Sequence, residues 1–591
     1  MKTNKLLSFL MVVVMLCTVL PFHLVNAATT GVTNGLEYEI IDGEVTITDC
    51  DTKKKGEVNI PSTIGGYPVT KIADVAFYHC YYITDVTLPD GVTSIGRNAF
   101  EESGLDSIVI PDSVTSIGEG AFIGTGLTEI SMPDSVTYIG DELFWRCGNL
   151  LSAKLSAGLT EIPYDTFAGC DRLTSVDIPE GITSIGSSAF GACSALESIT
   201  VPEGVTTIGT SAFANCQALT EVVLPESLTA IDENAFYACT SLTSITLPDS
   251  LTSVGWCAFD NCTSLQSIKL SDGLTVLPYD MFRGCAALES VTLPAQLTEI
   301  GSACFYNCTA LKSIELPESL TVIGNGAFEN CDSLVSLTIP SGVTELPESV
   351  TAYCDSLVEL NVHPDNEVFY SEGNCIIVRE TGEVVLGCNA SVIPRSAKSL
   401  KYYAFYGCTT LKEITIPSNI KTVGSEAFWH CYELERVTVE RGVESIGGWA
   451  FMYCYALKEI TIPKSVKTMG GWVFCDAYAL TDIYCEADSR PTGWNKEWTE
   501  GCNATVHWGY KIPAGRGDCN GDGEINGADA AALIKYLANY NPATGGSSEE
   551  LSDFADCNGD GAVNGMDAVR LLLYLANYDP VTGESDVVLG K

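Results

Sequence analysis

A formal net charge of −44 over 591 residues excludes nucleic acid and anionic lipid as partners, because both are polyanions and repel such a surface. Hydrophobic residues make up 46% of the chain, which excludes a disordered polypeptide despite that charge. The 25 cysteines would ordinarily point to a disulfide framework, but their spacing points elsewhere.

The chain opens on a basic, polar Met1–Lys5, an apolar run from Leu6 to Leu20 and a small residue at Ala27. Residues 1–27 therefore read as a signal peptide removed after Ala27. The apolar run is shorter than the ~20 residues of a membrane span. The expectation is a secreted, extracellular protein with no membrane segment after cleavage.

From Cys147 to Cys354 a cysteine recurs every 23 residues, and Cys408, Cys431 and Cys454 resume the step. Phe167, Phe190, Phe213 and their successors keep the same step three residues earlier. A fixed period of this size means stacked supersecondary units. One unit shows the logic. Leu242-Thr-Ser-Ile245-Thr-Leu247 alternates apolar and polar residues as a short strand does. Pro248 lacks an N–H and ends it. Leu251-Thr-Ser-Val254 turns inward again, and Gly255 is expected to allow a tight corner. Ala258, Phe259, Cys262 and Leu265 then bury the other side. No coil hides these residues alone, so stacking must build a continuous core of Phe, Cys and Leu ladders. The Phe positions define about seventeen units between Phe77 and Phe474. Identical stacked rotamers do not offer the dihedral near ±90° of a disulfide, so the ladder cysteines are expected to be free thiols. Acidic residues of the repeats are expected in solvated slots.

The recurring pattern L-x-x-I-x-L-P-x-x-V-T-x-I-G-x-x-A-F-x-x-C resembles the BspA-like leucine-rich repeat of bacterial surface proteins, over roughly residues 35–510. The resemblance implies an N-terminal β cap over 28–75, a solenoid over 76–484 and a C-terminal cap over 485–510. Residues 361–398 break the period, and their Ile376-Ile-Val-Arg379…Gly382-Glu-Val-Val-Leu386 segment reads as an inserted β-hairpin around Thr381-Gly382.

The last four repeats carry extra aromatics. Tyr403, Trp449 and Trp472 share the slot two residues before the ladder Phe. Tyr432, Tyr455 and Tyr478 share the slot four after it, and Tyr406 and Trp429 a third. Such a strip stacks on sugar rings or anchors protein partners, or else packs on the insertion or the cap. A polysaccharide or an extracellular protein is therefore the expected ligand.

After a linker over 511–516 the period vanishes. Asp518, Asn520, Asp522, the Glu524 carbonyl, Asn526 and Asp529 fall at positions 1, 3, 5, 7, 9 and 12 of a calcium loop, with Gly523 at position 6. The pattern returns 38 residues later with Asp556, Asn558, Asp560, the Ala562 carbonyl, Asn564 and Asp567. Each loop runs into an apolar helix, expected over 530–540 and 568–578. Position 12 is Asp rather than Glu, and neither loop has a helix of EF-hand type in front of it. In both respects the segment 517–580 resembles the type I dockerin, leaving 581–591 as a tail. The resemblance implies two Ca²⁺ ions and a cohesin module of a cellulosome scaffoldin as partner. It also implies docking through loop positions 10 and 11 and the following helix: Gly527, Ala528, Lys535 and Asn539 in one half, Gly565, Met566, Leu573 and Asn577 in the other. The Ser-Thr pair of the best-known dockerins is absent from these positions.

The fold expected is thus an α+β multidomain chain, a β-rich leucine-rich-repeat solenoid of about 23-residue coils followed by a small all-α dockerin. Five histidines are scattered, and no Ser-His-Asp or Cys-His constellation stands out, so no catalytic residue is assigned. The function expected is non-catalytic binding or adhesion on a scaffold. The alternatives are an accessory of polysaccharide breakdown with glycoside hydrolase activity, and a structural spacer.

Overall fold

The computed structural model describes residues 28–510 together with 527–538, 540–541, 546–547, 563, 565–576, 578–579 and 584–585. The chain divides into two compact units, Met1–Gly273 and Leu274–Lys591.

The first unit starts with an antiparallel meander, Thr29–Thr33, Leu36–Ile41 and Glu44–Cys50. Its last strand pairs in parallel with Tyr67–Ile72, and from there every coil adds parallel strands. Each coil contributes a longer strand, such as Ser198–Thr200, and a two-residue strand, such as Thr207–Ile208. In both, the side chain facing inward is apolar and its neighbours are polar, as alternation along a strand requires.

Inside, the phenylalanines stack coil on coil. From Phe77–Phe100 at 4.9 Å to Phe236–Phe259 at 5.4 Å, neighbouring rings are near-parallel. The second unit repeats the pattern at Phe282–Phe305–Phe328 and at Phe405–Phe428–Phe451–Phe474. Trp498, edge-on at 6.1 Å from Phe474, closes the ladder, and Trp494 and Trp508 pack beside it.

The cysteines are not passive filler. The thiols of the regular ladder cysteines reach the carbonyl of a Phe in the preceding coil, as Cys193 does to Phe167 O, Cys216 to Phe190 O and Cys239 to Phe213 O, each at 3.1–3.2 Å, whereas Cys408, beside the insertion, reaches Gly387 O at 3.6 Å. All 22 cysteines among the described residues are free, in line with the reading from register.

Two expectations need correction. Gly255 does not turn with a positive φ. A Cβ on it would lie 2.3 Å from the Glu233 nitrogen of the preceding coil, so close backbone approach is what excludes a side chain. Nor are all acidic residues solvated. Asp260, Asp280 and the Glu486 carboxylate are buried, and Glu486 takes a bidentate grip from Arg441 at 2.6–3.3 Å.

The glycine slot also decides where the short-strand sheet stops. Its N–H donates to the preceding coil, as Gly140 does to Ile117 O and Gly324 to Ile300 O. Asp232 fills the slot and still donates to Ile208 O at 2.9 Å. Pro163 and Pro347 fill it without an N–H. Accordingly one sheet ends at Tyr138–Ile139 and a new one starts at Glu161–Ile162, and in the second unit another ends at Val322–Ile323.

The insertion is a three-stranded antiparallel meander, Phe369–Glu372, Cys375–Val378 and Glu383–Leu386, with the expected turn at Gly382 (φ 74°). Its last strand pairs in parallel with Ser399–Leu400 and so feeds the sheet of the later coils. The Phe side of the solenoid ignores the interruption, since Tyr353 N donates directly to Gly407 O at 3.0 Å.

Two helices follow, α1 at Gly527–Ala538 and α2 at Gly565–Ala576. They pack through Ala530, Leu533, Ala568 and Leu571. Both start three residues earlier than expected and end two earlier, because the helix begins inside the loop pattern at position 10. Short bridges close each half, Tyr540–Asn541 with Gly546–Ser547 and Tyr578–Asp579 with Glu584–Ser585.

Candidate functional site

Two backbone positions per coil carry the candidate aromatic site. The residues two before and two after the ladder Phe adopt left-handed φ in coil after coil, for example Asn234 (56°) and Ala238 (56°) around Phe236. Asn, Asp and Gly tolerate this conformation, and bulky residues do so at a cost of order 1 kcal/mol. In the later repeats Tyr403 (60°), Trp449 (54°) and Trp472 (58°) occupy the first slot, and Tyr353, His430 and Tyr453 the second.

The eight predicted aromatics fall into three sets. Tyr403, Tyr406 and Trp429 form one cluster, with centroids 5.2–5.7 Å apart. Tyr432, Tyr455 and Tyr478 form a second ladder, near-parallel at 5.2 and 5.5 Å, ending at Tyr478, which is 70% exposed. Trp449 and Trp472, 44% and 36% exposed, join neither, and Trp472 Nε1 donates to Glu497 of the C-terminal cap at 3.2 Å.

Three residues absent from the sequence reading tie the first two sets together. Tyr353 OH donates to Tyr406 OH at 3.1 Å, His430 Nδ1 stands 2.5 Å from Tyr432 OH, and Tyr453 packs edge-on against His430 at 4.7 Å. The signal was available: His430 and Tyr453 are 23 residues apart in one slot. Burial pushes the phenols of Tyr353, Tyr406 and Tyr432 up and the His430 imidazole down, so the edge presents neutral rings at neutral pH. A cleft of about 360 Å³ borders the cluster, lined by Tyr353 and Tyr432 and by Asp332, Asp355 and Glu433. Neutral rings beside acceptor carboxylates are chemistry for hydroxyl-rich or amide-bearing ligands.

In the helical module the position-12 carboxylates, Asp529 and Asp567, are fully buried in the first turns of α1 and α2. A buried carboxylate needs a cation or a set of N–H donors, and a helix N-terminus favours its charge. This donor set fits a hard cation. The other ten loop residues, Asp518, Asn520, Asp522, Glu524, Asn526, Asp556, Asn558, Asp560, Ala562 and Asn564, lie outside the described residues, as do Asn539 and Asn577. Of the docking residues, Gly527 and Ala528 open α1 and Gly565 and Met566 open α2, Leu573 lies within α2, and Lys535 is exposed on α1. The helices also expose Ile534 (50%) and its counterpart Leu572 (47%), which the loop pattern did not single out.

Coils stacked at a 23-residue step, joined to a small two-helix module, define a leucine-rich-repeat solenoid with an appended docking-type module. The model of the BspA type leucine rich repeat region matches residues 70–197, 160–289, 229–358 and 387–493, and the chain belongs to that family. The dockerin type I domain model matches residues 516–576, so the module is a type I dockerin, a class that binds calcium.

Similar solved structures include a leucine rich cell surface protein from Faecalibacterium prausnitzii (28% identity, 70% of this chain and 96% of that one, TM-score 0.35). A leucine-rich repeat protein from Bacteroides ovatus is 23% identical over 82% of this chain and 100% of that one, with a TM-score of 0.36. No curated protein matches this sequence.

Proposed function

We propose that this is a secreted, non-catalytic binding protein, held on a cellulosome scaffoldin by its dockerin while the solenoid engages a polysaccharide or an extracellular protein. The observation that carries this reading is the union, in one chain, of a repeat solenoid with a type I dockerin at 516–576. A dockerin implies a cohesin partner, and a solenoid offers long repeated surfaces rather than a reaction site. Residues 1–27 act as the signal peptide, and the two loops hold one Ca²⁺ each. The aromatic edge supplies the ligand contact. Ring faces within the Tyr432–Tyr455–Tyr478 ladder are occupied by one another, so Tyr478 at its end and the exposed Trp449 and Trp472 carry that contact.

The test is a pull-down of the whole protein on plant polysaccharides and on immobilised cohesins, with calcium and with chelator. Calcium-dependent capture by a cohesin, with polysaccharide or protein capture insensitive to chelator, is expected. Release of reducing sugar from a retained polysaccharide would reverse the non-catalytic assignment.

A further inference from the structure

A cleft opens where the insertion meets the interrupted short-strand sheet. In regular coils the Thr and Gly slots donate N–H groups to the preceding coil, as Thr321 does to Thr298 O and Gly324 to Ile300 O. The next coil, Thr344–Glu348, breaks this pattern. Pro347 stands in the glycine slot and has no N–H to give Ile323 O. Thr344 and Glu345 N–H donate to no backbone carbonyl among the described residues, and Thr321 O receives no donor from them. On the far side, Lys401 N donates to Val384 O, so the insertion has taken this coil's place in the sheet.

The result is a cleft of about 640 Å³ with an open strand edge at Thr321–Ile323 and an apolar floor of the nearly buried Leu346, Phe369 and Val385. Its charged lining is Glu345, Glu348 and Glu383 against the single Lys401. Glu348 accepts the Tyr402 hydroxyl at 2.6 Å, whereas Glu345 and Glu383 have no cationic partner within ion-pair distance among the described residues. The Lys401 ammonium lies over the Tyr402 ring at 5.0 Å rather than on a carboxylate.

We propose that this cleft docks an extended peptide segment bearing Lys or Arg, whose backbone N–H groups complete the open edge while its cations meet Glu345 and Glu383. Strand addition to an open edge draws affinity from main-chain hydrogen bonds and specificity from alternate side chains. Alternation fits the lining, with apolar residues set toward Leu346 and Val385 and basic ones toward the carboxylates. A glycan has neither the regular N–H spacing for the carbonyls nor the positive charge for an acidic cleft, so a peptide is the occupant the chemistry favours.

The experiment uses the full chain with calcium, at about 150 mM salt to screen its diffuse charge. A capped hexapeptide alternating Lys and Val is titrated against the wild type, Glu345→Lys with Glu383→Lys, and Pro347→Gly. The same peptide with Glu in place of Lys and cellohexaose are the two further probes. Amide exchange at residues 344–348 is followed throughout. The basic peptide is expected to bind one site and slow exchange there. The double charge reversal should weaken binding at least tenfold with an unchanged melting temperature. Pro347→Gly restores the N–H, lets the coil rejoin Ile323, and should abolish the site while slowing exchange by itself. Basic-peptide binding that neither variant alters, equal binding of the acidic peptide, or protection of 344–348 by cellohexaose instead would each overturn the proposal. None of these outcomes bears on the aromatic edge.

Discussion

At the residue scale, the ladder cysteine does two things that alanine cannot. It fills the space under the Phe column and gives a buried carbonyl one coil back a second donor, as in the 3.1 Å contact of Cys216 with Phe190 O, which also accepts from Cys193 N–H at 3.2 Å. Phe190 O keeps the Cys193 N–H in Cys216→Ala, so that change should cost about 1 kcal/mol, the net worth of one hydrogen bond, plus the lost sulfur packing, whereas Cys216→Ser keeps a donor and should cost less. Denaturant melts of the two variants check this ordering. Burial pushes the Cys147 thiol up to about 11 and those of Cys216 and Cys262 up to about 12, from 9.0. The sign follows: the unfolded chain releases these protons first. Their stabilising contribution is complete below pH 9 and is lost as pH rises from 9 through about 12. Melting midpoints should fall steeply across that window, and less steeply in Cys216→Ser, which has no thiol to ionise there. Thiol counting should find the ladder unreactive in the native protein and fully reactive in denaturant without reductant. Oxidised ladder cysteines would contradict the free-thiol assignment.

At the scale of the element, each coil is a compromise between a stacking period and two left-handed corners. The corners explain why Asn and Gly recur beside the ladder Phe, for example Asn234, Asn261 and Gly284. A tryptophan in that conformation is strained, and the coil imposes the strain, since Ser188, Ser211, Ala303 and Glu426 hold the same slot with the same sign of φ. Trp449→Gly relieves the backbone, so the fold should melt no lower than the wild type, while retention on a bound polysaccharide in affinity electrophoresis should fall several-fold. A variant that unfolds instead would make Trp449 a packing residue. The same scale explains which part of the site was legible. The slots of Tyr432, Tyr455 and Tyr478 followed from the period alone. The contacts of Tyr353 with Tyr406 and His430 did not, because 53 residues separate Tyr353 from Tyr406, and only looping out the insertion makes their coils adjacent.

At the scale of the whole molecule, the acidic dockerin loops and the acidic repeats share a chain with a formal charge of −44. Each loop gathers three carboxylates, and a module of about 60 residues has little core to resist their repulsion. Calcium binding and folding of the module should therefore be coupled. Chelator should remove cohesin binding and a low-temperature melting transition, leaving the solenoid transition in place; binding that survives chelation would end the calcium claim. The two halves are near copies with unequal surfaces, Ala532 against Arg570 and Lys535 against Leu573. Replacing Ile534 or Leu572 by Asp should weaken cohesin binding by unequal factors in calorimetry. Equal losses would mean that both docking orientations are used alike.

The sequence by itself determined the repeat, its period, the Phe and Cys columns and the two calcium-type loops, because each is a local pattern written many times and each instance constrains the next. Only the tertiary structure decided where the sheets stop, that Gly255 serves close approach rather than a corner, and that Asp260 and Asp280 are buried. It also decided that Tyr353 and His430 join the aromatic edge, and that a cleft opens beneath the insertion. The physical reason is one of range. A period fixes what every coil has in common, whereas a missing N–H at Pro347 or a looped-out segment acts through the neighbouring coil, and that neighbour is known only once the chain has folded.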